Sequence, residues 1–370
     1  MTTREVQRLV VISSLTLQLL GSSVIASTIV VPDEMGLQAA LTAAANHDTI
    51  LVRAGTYVGP FGFSGKDLTI LGESGAVTTI LDGQDLVRVL EIGAGTTMDT
   101  RVEGLTFDRG RASEGAGLKL ATGSGVTVVD CRFTRNVAVG FHGGPGGGFF
   151  MIGGQAKFEG CAFEENSGSA ASVFAQGSLL EIRNSIFRAN TGERMGLWAQ
   201  NVGNLIVESN VYVDNDGLTN GGIITIDDCS GVIRSNTIAF NDAAGGSGIF
   251  GAIDIIATSP ILVERNIVAG NTGVGIVPDD AVPGSLTFTC NDVWNNSLGD
   301  IEPGYAVDPS NLSADPQFCH PDTRDLTLEN TSPCAPAQQP TCGFIGRYDV
   351  GCNVVTVVPS TWSRIKRLGE

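Results

Sequence analysis

The chain has 370 residues, a formal net charge of −17, 49 glycines and only 16% charged residues. So acidic a chain lacks the basic face that phosphate binding needs, which excludes a nucleic-acid partner. Its 42% hydrophobic content excludes a disordered chain, because there is enough apolar surface to fill a core.

Residues 1–26 read as a secretory signal: Arg4 and Arg8 supply the positive start, Val10 to Leu20 the apolar stretch, and Val24-Ile25-Ala26 the small residue at a cleavage point. Cleavage after Ala26 removes two arginines and Glu5, leaving a remainder one charge more negative. No later stretch reaches the ~18 uninterrupted apolar residues of a membrane span. The expected location is secreted, periplasmic or at the cell surface.

Residues 27–98 are expected to form an N-terminal cap and the first coils of a repeat. Between Asp33 and Asn46, Leu37, Ala40, Leu41 and Ala44 share one helical face, with Asp33 in the N-cap position. A short amphipathic helix there closes the end of a core whose strand edges are otherwise exposed.

From 99 to 300 an apolar anchor is followed three residues later by Asn. The anchors are Phe107, Phe133, Phe163, Phe187, Tyr212, Ile238, Val268 and Val293, at spacings of 26, 30, 24, 25, 26, 30 and 25 residues. The residues that follow are Gly110, Asn136, Asn166, Asn190, Asn215, Asn241, Asn271 and Asn296. Two before the anchors stand Leu105, Cys131, Cys161, Ser185, Asn210, Asn236, Asn266 and Asn291. Short β-branched runs such as Gly125-Val126-Thr127-Val128-Val129 and Ile223-Ile224-Thr225-Ile226 lie between Gly-rich breaks.

This periodicity predicts an all-β, right-handed parallel β-helix. Each coil turns back at a tight corner, and Asn is expected to take the left-handed backbone there. Coils stacked about 4.8 Å apart bring the Asn side chains into a hydrogen-bonded ladder and the anchors into an apolar column. One coil cannot bury its apolar face alone, so its neighbours do so. The LxxLxL pattern of leucine-rich repeats is absent, and a propeller blade needs roughly 40 residues or more.

Counting back 13 or 14 residues from the anchors places Lys119, Phe174, Trp198, Thr225 and Asp254 on a shared strand. A one-residue change of strand parity turns these side chains inward or outward; if they face outward, Trp198 could stack on a sugar ring with Lys119 and Thr225 beside it. Asp227, Asp228 and Asp254 could hold Ca²⁺ or act as acid and base. Asp227 is expected about three residues out of step with Asp254, which at about 3.3 Å per residue puts their backbones roughly 11 Å apart. The alternation Ile253-Asp254-Ile255 makes Asp254 the best exposed candidate; the plainer reading makes Asp227-Asp228 a solvated corner. His142, in the Gly-rich run 140–148, precedes a strand-like segment and not a helix, so a loop tip is expected and a nucleotide site is not. His47, His142 and His320 are the only histidines and lie far apart, which argues against a site with several His ligands and against a Ser–His triad.

Residues 301–352 form a Cys/Pro-rich C-terminal cap. Cys319, Cys334, Cys342 and Cys352 are the disulfide candidates, in any of three connectivities; no CxxC pair supports zinc. Cys131 and Cys161 share a repeat position in adjacent coils and either stack as thiols or form a disulfide. Cys229 and Cys290 have no evident partner. The tail 353–370, with Thr361-Trp362-Ser363-Arg364-Ile365-Lys366-Arg367, is basic and reads as an attachment signal or a frayed end.

Asp48-Thr49-Ile50-Leu51-Val52-Arg53-Ala54-Gly55-Thr56-Tyr57, the repeats from about 99 to 296, and the run from Ala314-Asp315-Pro316-Gln317-Phe318 to Ser332-Pro333-Cys334 resemble the pectin-lyase-like β-helix proteins, specifically uncharacterised secreted bacterial members. The resemblance implies the fold over residues 28–352. It does not imply one activity, because this fold hosts lyases, hydrolases, epimerases, adhesins and structural proteins. The Arg-Pro pattern of pectate lyases is missing. Asp227-Asp228, Gly140-Phe141-His142-Gly143 and Arg364-Ile365-Lys366 stand in the wrong order for polygalacturonase-like hydrolases. The expectation is therefore a secreted or surface-associated β-helix that binds glycans or has a structural role; the alternative is a polysaccharide lyase or glycoside hydrolase acting on acidic polysaccharide along the flank.

Overall fold

The computed structural model describes residues 26–33, 35–140, 144–243, 251–279, 282–304 and 307–352, without the side chains of 218–221 and 279. The signal (apart from Ala26), His142 and the 353–370 tail lie outside the described residues. Among the described residues, parallel strands form a 21-stranded and a 10-stranded sheet, with a 2-stranded antiparallel sheet near the C-terminus. No described helix is long and apolar enough to cross a membrane.

The right-handed parallel β-solenoid expected from the repeat is present. Its narrow sheet stacks the anchor strands in register, Phe107 on Phe133, Phe133 on Phe163, Phe163 on Phe187 and Phe187 on Tyr212. The ring centroids of these pairs lie 4.7, 4.8, 4.7 and 4.4 Å apart, with planes within 9° of parallel. Ile238, Val268 and Val293 continue the column, and every anchor is buried.

The Asn ladder runs from Asn136 to Asn296. In each step the side-chain oxygen of one Asn accepts both the backbone N–H and the Nδ2–H of the Asn one coil earlier; at Asn190 both distances are 3.0 Å. The Nδ2 also donates to an anchor carbonyl, as from Asn190 to Phe163 at 2.9 Å. Asp300 ends the column by accepting from Asn296. A second ladder follows the same rules at the other corner, through Asn210, Asn236, Asn266, Asn291 and Asn311.

The left-handed residue is not the ladder Asn. At these corners it is the preceding residue, Arg109, Arg135, Glu165, Ala189, Asp214, Phe240 and Asn295, with φ between 49° and 58°. Asn is placed by its side chain, which satisfies buried backbone groups on the coil before it; the backbone strain falls on a neighbour of almost any type.

At the N-terminal end the helix Leu37–Ala43 buries Leu37, Ala40 and Leu41 against the first coil. Its N-cap is Gly36, not Asp33, which instead forms an ion pair with Arg53 at 2.5 Å. At the other end the segment containing Phe318, Leu326, Leu328, Cys334, Cys342 and Ile345 packs on the outer side of the narrow sheet, against Val211, Val213, Ala239, Ile267 and Ala269. Disulfides join Cys290 to Cys342 and Cys319 to Cys352. Of the four cysteines expected to pair, Cys334 is therefore free. Cys290, which had no evident partner in sequence, takes its place because the cap folds back onto the coil that carries it. Cys334 is buried and its Sγ lies 3.0 Å from Oδ2 of the fully buried Asp292. Cys131 and Cys161 are buried free thiols, each directed at a carbonyl of the coil before (Val102 and Val128), and burial pushes the Cys131 thiol up to about 12. Cys229 is also buried and free.

Candidate functional site

The strand on which Lys119, Phe174, Trp198, Thr225 and Asp254 were expected to align does stack them. The register reads Glu91, Lys119, Phe150, Phe174, Trp198, Thr225, Asp254 and Val277 on successive coils. Their chain neighbours Leu118, Leu120, Leu197, Ala199, Ile224, Ile226, Ile253 and Ile255 are buried in the core, so this column points away from it.

Outward does not mean exposed here. Backbone arches from the segment before the strand pass over the column. A Cβ on Gly146 would stand 2.9 Å from Phe150 Cβ, and one on Gly222 only 2.4 Å from Thr225 Oγ1 and 2.9 Å from Asp254 Oδ2. The arch over Thr225 exists because the register jumps between Gly192/Gly217 and Arg194/Gly222, where the later coil carries extra residues. Phe150, Ala170 and Phe174 consequently form a small satellite core, with Trp198 packed against its edge.

Asp254 is therefore not the exposed acid the alternation suggested: it is 9% exposed. Its Oδ1 accepts the Gly251 N–H at 2.9 Å, while among the described residues Oδ2 and the Thr225 hydroxyl have no hydrogen-bond partner. Burial pushes its carboxyl up to about 7, against the hydrogen bond from Gly251 and the attraction of Arg194. Asp227 pairs with Ile256 while Thr225 pairs with Asp254, so Asp227 is two residues out of step with Asp254 and not three. Their backbones are then about 8 Å apart. Asp227 Oδ2 accepts from Trp198 Nε1 at 2.9 Å and from Gln200 Nε2 at 3.0 Å. The Arg194 guanidinium lies over the Trp198 ring, 4.1 Å from its centroid, and Phe174 meets the same ring edge-on at 5.0 Å. Among the described residues Arg194 makes no ion pair.

The structure thus brings Trp198, Thr225, Asp227 and Asp254 together and adds Arg194 and Gln200. Sequence reading missed these two because Arg194 enters through the bulged arch, and Gln200 matters only once Asp227 is known to lie in the next coil. Two candidates are not in the group. Asp228 turns into the corner with φ 53° and accepts from Thr258 at 2.6 Å, the solvated corner of the plainer reading. Lys119 is separated from Trp198 by the Phe150 and Phe174 coils and is ion-paired with Glu114.

No curated protein sequence matches this chain. Among solved structures it is similar to the pectate lyase Pel9A, with 15% identity, 86% of this chain and 90% of that chain covered and a TM-score of 0.44. It is also similar to a pectin methylesterase, with 10% identity, 84% and 98% coverage and a TM-score of 0.33. A PL6 family polysaccharide lyase from Pseudopedobacter saltans has 12% identity, 89% and 92% coverage and a TM-score of 0.31. The family model for the right handed beta helix region matches residues 92–230 and 147–318. Together with the stacked coils described above, this match places the chain in the right-handed β-helix family.

Proposed function

We propose that this protein is a secreted or surface-associated β-helix that binds a glycan along the flank formed by Arg194, Trp198, Gln200 and Asp227. The observation that carries this reading is the convergence of half-buried polar and aromatic groups from adjacent coils at one place. Asp227 fixes the Trp198 indole and the Gln200 amide, and Arg194 is held on the ring with its donors free of any described carboxylate. An indole rim, an amide and a guanidinium fork are the groups that recognise sugar rings, hydroxyls and a uronate carboxylate. The two disulfides suit an oxidising compartment, in keeping with secretion.

A second reading, hydrolysis or lysis of acidic polysaccharide, has one specific observation in its favour. Burial raises Asp254 to about 7, while Asp227 is a half-exposed, hydrogen-bonded carboxylate. Neighbouring acids held in such different environments are how acid and base roles are divided. Against it, Asp254 is only 9% exposed and the Gly222 backbone lies close over its Oδ2, which disfavours contact with a glycosidic oxygen. Binding is therefore preferred.

The test is a panel of neutral and uronate-containing oligosaccharides, read by tryptophan fluorescence and calorimetry, beside assays for released reducing or unsaturated sugar with and without Ca²⁺. Saturable binding lost in Trp198→Ala and weakened in Arg194→Ala, without sugar release, is expected. Sugar release abolished by Asp254→Asn would replace the binding reading with the catalytic one. Binding unchanged in both Trp198→Ala and Arg194→Ala would remove the flank from consideration.

A further inference from the structure

A different group of ligand-bearing side chains converges at the N-terminal end of the solenoid. His47, Asp67 and Asp99 come from the corners before the strands Thr49–Val52, Thr69–Gly72 and Arg101–Glu103, that is, from three successive coils. One ligand atom from each lies within 4.8 Å of the other two. His47 and Asp99 are exposed, Asp67 is buried, and no ion pair joins the imidazole to either acid among the described residues.

Each member is held by the fold. His47 stands at φ 67° with its backbone N–H on the Asp67 carbonyl at 2.6 Å. The Asp67 backbone N–H is taken by Asn46 Oδ1 at 2.7 Å. The Asp67 carboxylate accepts the Thr97 N–H at 2.6 Å, the Thr100 hydroxyl at 2.7 Å and the Thr97 hydroxyl at 2.9 Å. Oδ2 accepts only the last of these, so a lone pair on it remains. A carboxylate oriented by hydroxyl and amide donors, beside an imidazole and a second carboxylate, is the arrangement found around bound metals, where outer partners aim the ligands.

We infer that His47, Asp67 and Asp99 form a binding site for a divalent cation of the zinc type, which staples three coils together at the corner next to the capping helix. Nitrogen and oxygen ligands about 2.0–2.2 Å from such an ion stand roughly 3–4 Å apart. The three ligand atoms all lie within 4.8 Å of one another, and the His47 and Asp99 side chains are exposed and free of the core, so they can adjust to that spacing. The imidazole selects against Ca²⁺ and Mg²⁺, which prefer oxygen alone. The site is several coils from the Trp198 flank and does not depend on the glycan reading. Its effect is on the end of the solenoid, where a lost cap exposes strand edges.

The test uses the full, untagged, disulfide-bonded protein after chelator treatment, titrated with Zn²⁺ and separately with Ca²⁺ by calorimetry and thermal melting. One Zn²⁺ per chain and a Zn²⁺-dependent rise in Tm are expected, with Ca²⁺ doing neither. His47→Asn, whose side chain tolerates the left-handed backbone, and Asp99→Asn should each weaken Zn²⁺ binding tenfold or more with an unchanged circular dichroism spectrum. No binding up to about 1 mM Zn²⁺, or equal affinity in His47→Asn, would overturn the assignment.

Discussion

The Asn ladder makes a quantitative demand at its centre. Asn190 makes four side-chain hydrogen bonds: it accepts from the backbone and side chain of Asn166, and donates to Phe163 O and Asn215 Oδ1. In Asn190→Ala the buried Asn166 N–H loses its acceptor and the Phe163 carbonyl loses this donor, while Asn166 Nδ2 keeps Phe133 O. With about 1–3 kcal/mol for each buried group left unmatched, the substitution should cost about 4 kcal/mol. Asn190→Asp is nearly isosteric, yet it turns an oxygen toward two acceptors and buries a charge, so it should cost more than alanine. Asp300→Asn at the end of the ladder should cost under about 1 kcal/mol, because an amide oxygen can accept from Asn296 and the Ser313 hydroxyl can reverse its role. Urea unfolding followed by circular dichroism measures all three. An Asn190→Ala cost below about 1 kcal/mol, or Asn190→Asp tolerated better than Asn190→Ala, would refute the ladder as the source of corner stability.

Among the described residues the buried Tyr212 hydroxyl has no partner, so Tyr212→Phe should leave stability unchanged or raise it by about 1 kcal/mol in the same urea assay. A Cβ on Gly196 would press on the Tyr212 ring at 2.7 and 2.8 Å, and Gly196→Ala should cost about 1–3 kcal/mol. Thiol titration of the folded protein should find almost no reactive cysteine and, after unfolding without reductant, four: Cys131, Cys161, Cys229 and Cys334. Opening the Cys290–Cys342 bridge, whose ends are 52 residues apart, should cost about 4 kcal/mol by the loop-entropy estimate, seen when Cys290→Ser with Cys342→Ser is compared with the parent. Asp254, raised in the fold to about 7 from 3.8, binds its proton more tightly folded than unfolded. Its contribution is therefore complete below about pH 4 and is lost as pH rises through 7, a change of about 4 kcal/mol. Asp254→Asn should remove most of that decline and make the protein relatively more stable at pH 8; an unchanged pH profile would show that Asp254 titrates normally.

Much of the fold was legible in the sequence because a solenoid repeats its physics. An anchor every 24 to 30 residues, with Asn three later, can be satisfied only if equivalent positions stack. The rings, the ladder and the alignment of Lys119, Trp198, Thr225 and Asp254 on one strand follow from that; that this column points outward was fixed only by the structure. Corner chemistry was read less well. Asn suggested the left-handed position because it tolerates it, but the side-chain ladder is the stronger constraint, and the strain moved to Arg135, Glu165 and Asp214. Gly36 is the N-cap because the helix begins at Leu37, three residues beyond the point expected from Asp33, which pairs with Arg53 from a later segment.

What the sequence determined by itself is the cylinder: its period, its core column and which residues share a strand on successive coils, since these depend on like residues stacking. What only the tertiary structure decided is which outward residues meet solvent and which distant residues meet each other. The arch at Gly222 buries Asp254, the folded-back cap pairs Cys290 with Cys342 and leaves Cys334 free, and three corners bring His47 to Asp67 and Asp99. Each of these depends on where an irregular segment lands on the stack, and a repeat period carries no information about its irregular segments.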